Sequence, residues 1–129
     1  NWHQVIDERS YEMHQVIADV LRRSPGQLSL VTAWIDRMLG NPDYSEQNKD
    51  ALREWQAVIE DSVRGVLEVL GSRNDEATRL RQSTPFAVLM PQDKRLEILD
   101  KYERAELEHL LRASSGTTGG SAVRSVARF

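Results

Sequence analysis

The sequence predicts an all-α protein: a small helical bundle of four main helices plus one short helix, with a flexible C-terminal tail. Three observations carry this expectation. Apolar residues recur at helical spacing in four long stretches, and the turns between them are short and built from Pro, Gly, Asn and Asp. The one apolar run with strand-like composition, Phe86-Ala87-Val88-Leu89-Met90, has no second strand candidate to pair with. Residues 1–113 are read as the bundle domain and 114–129 as linker and tail. With 129 residues and an apolar fraction of 40%, one domain around one modest core is the natural size.

The stretch from Ser45 to Gly71 organises the rest. At roughly 100° per residue, Leu52, Trp55, Val58, Ile59, Val63, Val66, Leu67 and Leu70 gather on half a helical wheel. Arg53, Glu54, Gln56, Glu60, Asp61, Arg64 and Glu68 fill the other half. Read as a single helix, it starts at Ser45 as N-cap and ends at Gly71, which suits a left-handed position just past the last turn. At about 1.5 Å per residue such a rod would be nearly 40 Å long, and its apolar half would need more than one neighbour.

Ahead of it, Val5, Ile6, Met13, Val16, Ile17, Val20 and Leu21 share one face of a first helix from about Gln4 to Arg23. Arg9 falls inside that stripe. Either its aliphatic stem packs while its head reaches solvent, Glu12 or Asp36, or it meets a carboxylate on a partner. Ser24-Pro25-Gly26-Gln27 has the pattern of a capping box with proline at the first helical position. The second helix then runs to Leu39 and stops at Gly40-Asn41-Pro42. Connections this short favour antiparallel neighbours.

Beyond Gly71, Asp75 to Gln82 reads as a helix of about two turns. Thr84-Pro85 ends it, since the residue before a proline is pushed out of the helical region. Phe86–Met90 is read as a packed apolar loop or helical turn, and Pro91-Gln92-Asp93 opens a last helix to about Arg112. That helix carries two apolar stripes: Leu96, Leu99, Leu107, Leu110 and Leu111 on one side, and Ile98, Tyr102, Ala105 and His109 on another. Two stripes imply two contacts, unless the second is ordinary exposed surface.

Composition narrows the function classes. Without cysteine there are no disulfides or thiolate sites, which fits a reducing cytoplasm. No apolar run approaches the length of a membrane span or signal-peptide core, so a soluble cytoplasmic protein is expected. The net charge of −3 argues against a dedicated nucleic-acid binder. No phosphate loop, HExxH, GxSxG or EF-hand spacing occurs, and His3, His14 and His109 have no metal-ligand spacing. No catalytic residue, metal or cofactor is therefore expected. Arg79-Leu80-Arg81-Gln82 is too thin for a nucleic-acid patch, but beside Phe86 it has the composition of a protein-interface hot spot. The tail holds Arg124, Arg128 and Phe129 among small and apolar residues and no acid, which fits either an unattached end or a segment that orders on an acidic partner surface. Expected partner-binding residues are thus Arg9, Arg79, Arg81, Gln82, Phe86, Tyr102, His109, Arg124, Arg128 and Phe129.

Two stretches, Glu8-Arg9-Ser10-Tyr11-Glu12-Met13-His14-Gln15-Val16-Ile17-Ala18 and Leu80-Arg81-Gln82-Ser83-Thr84-Pro85-Phe86-Ala87-Val88-Leu89, resemble a family of small helical bacterial proteins. These are the antitoxins paired with AbiEii-type (MenT-like) nucleotidyltransferase toxins. The resemblance runs from about Glu8 to Tyr102 and leaves out the tail. It implies a protein that binds and silences a toxin acting on an RNA such as tRNA, and that is not an enzyme. It also implies contact or core roles for Glu8, Arg9, Ser10, His14, Leu80, Arg81, Gln82, Ser83, Pro85 and Phe86. A helix-turn-helix regulator and a helical enzyme with a carboxylate metal site are the alternatives, and self-association as a homodimer is open.

Overall fold

A computed structural model describes residues 2–114, which form six α-helices and no strand. The helices are α1 (Trp2–Arg23), α2 (Leu28–Leu39), α3 (Glu46–Asp61), α4 (Val63–Gly71), α5 (Asp75–Arg81) and α6 (Gln92–Ala113). Short 3₁₀ turns at Pro25–Gln27 and Phe86–Leu89 complete the chain path. The all-α bundle is as expected, and Phe86–Leu89 is indeed a packed helical turn. Tail residues Arg124, Arg128 and Phe129 lie outside the described residues.

α1 is the hub. It packs against α4, α5 and α6, while α2 lies against α3 and the Phe86 turn. The core between these layers is Ile17, Ala18 and Leu21 from α1, Val31 and Ile35 from α2, Leu52 and Trp55 from α3, and Val66 and Leu70 from α4. Leu80, Phe86 and Leu89 close it from the other end. Burial at about 25 cal/mol per Å² of apolar surface is what holds such helices, none of which would be stable alone.

Three local expectations need correction. The long helix is two helices: Ser62 breaks it with extended backbone (φ −175°, ψ 156°). Ser62 ends α3 and caps α4, its hydroxyl accepting from Gly65 N–H at 2.8 Å. A Cβ on residue 65 would come within 3.2 Å of that hydroxyl, so glycine leaves the cap uncrowded. Periodicity hid the break, since Val63, Val66 and Leu70 still turn toward the core.

Gly71 is not a left-handed cap either. It is the last residue of α4, and Ser72 beyond it is extended. The orphan carbonyls at this helix end are satisfied by side chains from elsewhere, described below, so no Schellman turn is required. Finally, Ser24 makes no capping box. Its N–H still donates to Val20 O at 2.8 Å and so belongs to the end of α1, which leaves α2 to start at Leu28.

Candidate protein-binding site

The stretches 8–18 and 80–89, far apart in sequence, meet inside the molecule. His14 on α1 is fully buried, with Nδ1 2.7 Å from Ser10 O and Nε2 2.8 Å from Thr84 Oγ1. The network assigns the proton to Nδ1, which donates to the carbonyl, so Nε2 accepts from the threonine hydroxyl. Thr84 Oγ1 in turn accepts from Phe86 N–H at 3.0 Å. Burial pushes the His14 imidazole down to about 4, so it is neutral at pH 7. Phe86, held by this relay, meets the Trp55 ring edge-on at 5.0 Å, and Trp55 Nε1 donates to Leu80 O at 2.9 Å.

A second set of contacts repairs the end of α4. Arg81 donates to Val69 O at 2.9 Å and Ser72 O at 2.6 Å, Gln15 donates to Leu70 O at 2.7 Å, and Tyr11 donates to Gly71 O at 2.9 Å. The Arg73 guanidinium lies 3.8 Å over the Tyr11 ring and forms a bidentate pair with Glu8 at 2.7 and 3.2 Å. That pair holds the Glu8 carboxyl below its ordinary range.

These contacts turn part of the expected binding set inward. Phe86 is wholly buried and Arg81 nearly so, and both serve the fold itself. Arg79 is exposed but engaged: it forms a bidentate pair with Glu54 at 2.7 and 3.2 Å and a further bond to Glu76. These bonds push its guanidinium up from its ordinary value. Gln82 donates to Asp7 at 3.3 Å. Arg9 is half-buried on α1. Both arginines of α5 are thus engaged within the chain.

The remaining expected residues lie on α6, and there the structure is different in kind. This helix packs on α1 yet has no buried residue. Its anchor is Tyr102, whose hydroxyl donates to Glu12, with Lys101 Nζ 2.7 Å from the same carboxylate. Burial and the Glu12 bond push the Tyr102 hydroxyl above the usual phenol range, so it stays a donor. Ile98 and Val16 line an open groove of about 1230 Å³ between α1 and the start of α6, so the two helices touch along one flank only. Past Tyr102 the helix is almost wholly exposed, His109 included.

The opposite face holds the leucines. Leu96 is 52% exposed, Leu107 56% and Leu111 63%, with Leu110 close behind. On the wheel, Asp93, Glu97, Asp100 and Glu103 fall on this leucine half with a single base, Arg104. Lys94, Arg95, Lys101 and Arg112 fall on the half centred on Ile98 and Tyr102. The outer face of α6 is therefore leucine and acid, and among the described residues nothing covers it.

Sequence reasoning found both stripes but not which one docks. Ile98 and Tyr102 of one stripe and Leu99 of the other are half-buried, whereas Ala105 and His109 are exposed. Among the described residues no group of three or more His, Asp or Glu could hold a metal ion, and no helix is long and apolar enough to cross a membrane. No family model, curated protein or solved structure matches this chain.

Proposed function

We propose that this protein is an antitoxin that neutralises a cognate nucleotidyltransferase toxin in the cytoplasm by direct binding, without catalysis or cofactor. The observation that carries the reading is the outer face of α6, where exposed leucines alternate with carboxylates on a helix anchored by its other side. Large exposed apolar side chains grouped on one helix face, as at Leu107, Leu110 and Leu111, mark a protein-binding site. The acids set the kind of partner: an enzyme that handles RNA presents a basic surface, and a leucine-and-acid helix laid across it would both bind and exclude the RNA. The resemblance of Glu8–Ala18 and Leu80–Leu89 supplies the identity of that enzyme.

The test is co-expression with the product of the adjacent gene. Growth arrested by that product alone should be restored, and the purified protein should block nucleotide transfer stoichiometrically, needing no metal or cofactor of its own. A neighbour that is not a toxic transferase ends the reading, as does inhibition at strongly substoichiometric amounts, which would make this chain an enzyme.

A further inference from the structure

Helix α6 is held to the bundle by means unlike those of the other five helices. None of its residues belongs to the hydrophobic core or to the partly buried apolar side chains packed on that core, and α1 is its main neighbour. We propose that α6 is a latched arm: its hold on α1 depends on the carboxylate of Glu12, and loss of that latch frees residues 92–113 while α1 to α5 stay folded. The inference concerns the free protein and is independent of what the protein binds in the cell.

The core is complete without α6. Its last contributors along the chain are Leu80, Phe86 and Leu89, all ahead of the helix. Apolar burial is the main stabilising term of the fold, and undocking α6 leaves that term in place. The latch itself is polar. Lys101 Nζ lies 2.7 Å from Glu12 Oε1, and the Tyr102 hydroxyl donates to Oε2. The Glu12 side chain is only 29% exposed. Stripped of both donors it would be a half-buried charge without partners, and undocking would return it to water. Ile98 and Leu99 are half-buried, and the open groove lined by Ile98 and Val16 lets water reach the contact from one side, so its apolar part is small.

A hinge stands at the start of the arm. Met90 and Pro91 are extended, with ψ of 118° and 134°, and Pro91 has no N–H with which to tie the turn to the bundle. At 1.5 Å per residue Ala113 lies about 30 Å along the helix from this hinge, so a modest rotation there carries the far end a long way. Opening sets Ile98, Leu99 and Tyr102 free beside the outer leucines. A partner for α6 can then take both apolar stripes of the helix, and its binding would favour the open form.

The chain's lack of cysteine makes the test direct. Nitroxides are attached at Glu68→Cys on α4 and Ala113→Cys at the end of α6, both exposed, and their separation in the full chain is read by pulsed electron–electron resonance. Lys101→Ala with Tyr102→Phe removes both donors and keeps the ring. The fraction of molecules beyond the docked separation should then rise about fivefold, the shift expected when bonds to a charged acceptor are lost, with the amide spectrum of α1 to α5 preserved. Adding Glu12→Met takes away the stranded charge and should bring the docked separation back, a recovery that general loosening of α6 would not give. An unchanged separation in the double variant would overturn the proposal, because apolar contacts would then hold the helix unaided. So would a failure of Glu12→Met to restore docking, or a collapse of the α1 to α5 spectrum on opening, which would make α6 part of the folded core.

Discussion

The Leu80–Leu89 stretch and helix α6 both carry the residue types of a binding surface, yet they use them in opposite ways. In the first, Arg81, Phe86 and Leu80 are turned inward and satisfied by the chain itself. In the second, Leu96, Leu107, Leu110 and Leu111 remain at the surface. The difference lies in what each segment meets. α5 and the Phe86 turn abut the end of α4, whose last carbonyls lack partners, and the flank of α1 with its buried imidazole. Arginine, tyrosine and glutamine are drawn in by those unmet acceptors. α6 packs on the side of α1, with Tyr102 and Lys101 bonded to Glu12 and Ile98 and Leu99 half-buried. An arginine beside an aromatic ring is thus as much a mark of helix-end repair as of a partner.

The sharpest way to break this contrast is through Phe86. If the Leu80–Leu89 stretch is interior, Phe86→Ala should cost about 3–5 kcal/mol of stability, read as a lower urea midpoint. A variant as stable as the parent would return Phe86 to the surface role first expected of it.

The two neighbouring arginines sharpen it further. Arg81→Ala strands the Val69 and Ser72 carbonyls and should cost about 1–3 kcal/mol, since bonds from a charged donor are lost and their acceptors stay half-buried. Arg79→Ala removes only solvent-exposed ion pairs and should leave the midpoint within error. Equal effects from the two would contradict the division between them.

The imidazole at the centre of the interior region adds a pH dependence. His14 is held neutral in the fold, near 4 against 6.5 when unfolded, so the unfolded chain binds the extra proton first. The stability this contributes is full above about pH 6.5 and is lost as pH falls toward 4, amounting to about 2 kcal/mol between pH 7 and 5. Glu8 and Glu54, whose pKa values are lowered by Arg73 and Arg79, lose their contribution only at lower pH, below their unfolded value of 4.5. Urea titrations of the protein and of His14→Gln should therefore diverge between pH 7 and 5, and a parallel pair of curves would remove His14 from the network.

Much of this architecture was legible in the sequence, because helical periodicity reports which residues must be buried. Helices α1, α2, α5 and α6 follow from it within a few residues, and α3 and α4 follow as one continuous stretch. It cannot report a single extended residue such as Ser62, since the apolar phase resumes beyond it. Nor can it report which carbonyl a long side chain reaches: Tyr11 and Gly71 are joined across 60 positions. For the candidate site, periodicity showed two stripes on α6, but choosing the docked one needed Glu12, a residue on another helix that no local pattern singles out.

The smallest expected effect on stability tests the other side of the comparison. Leu107→Gln with Leu111→Gln replaces two exposed leucines by a residue of similar helix propensity. Neither side chain is packed against the bundle, so the change should shift stability by no more than about 0.5 kcal/mol. Binding should respond differently, because those leucines supply the apolar area of the outer face. The double variant should keep its helicity and melting temperature yet fail to relieve growth arrest by the adjacent gene product. Retained neutralisation with unchanged stability would leave the α6 face without a role, and the partner would then have to be met elsewhere on the bundle. A large loss of stability would instead mean that the two leucines are packed in the folded protein.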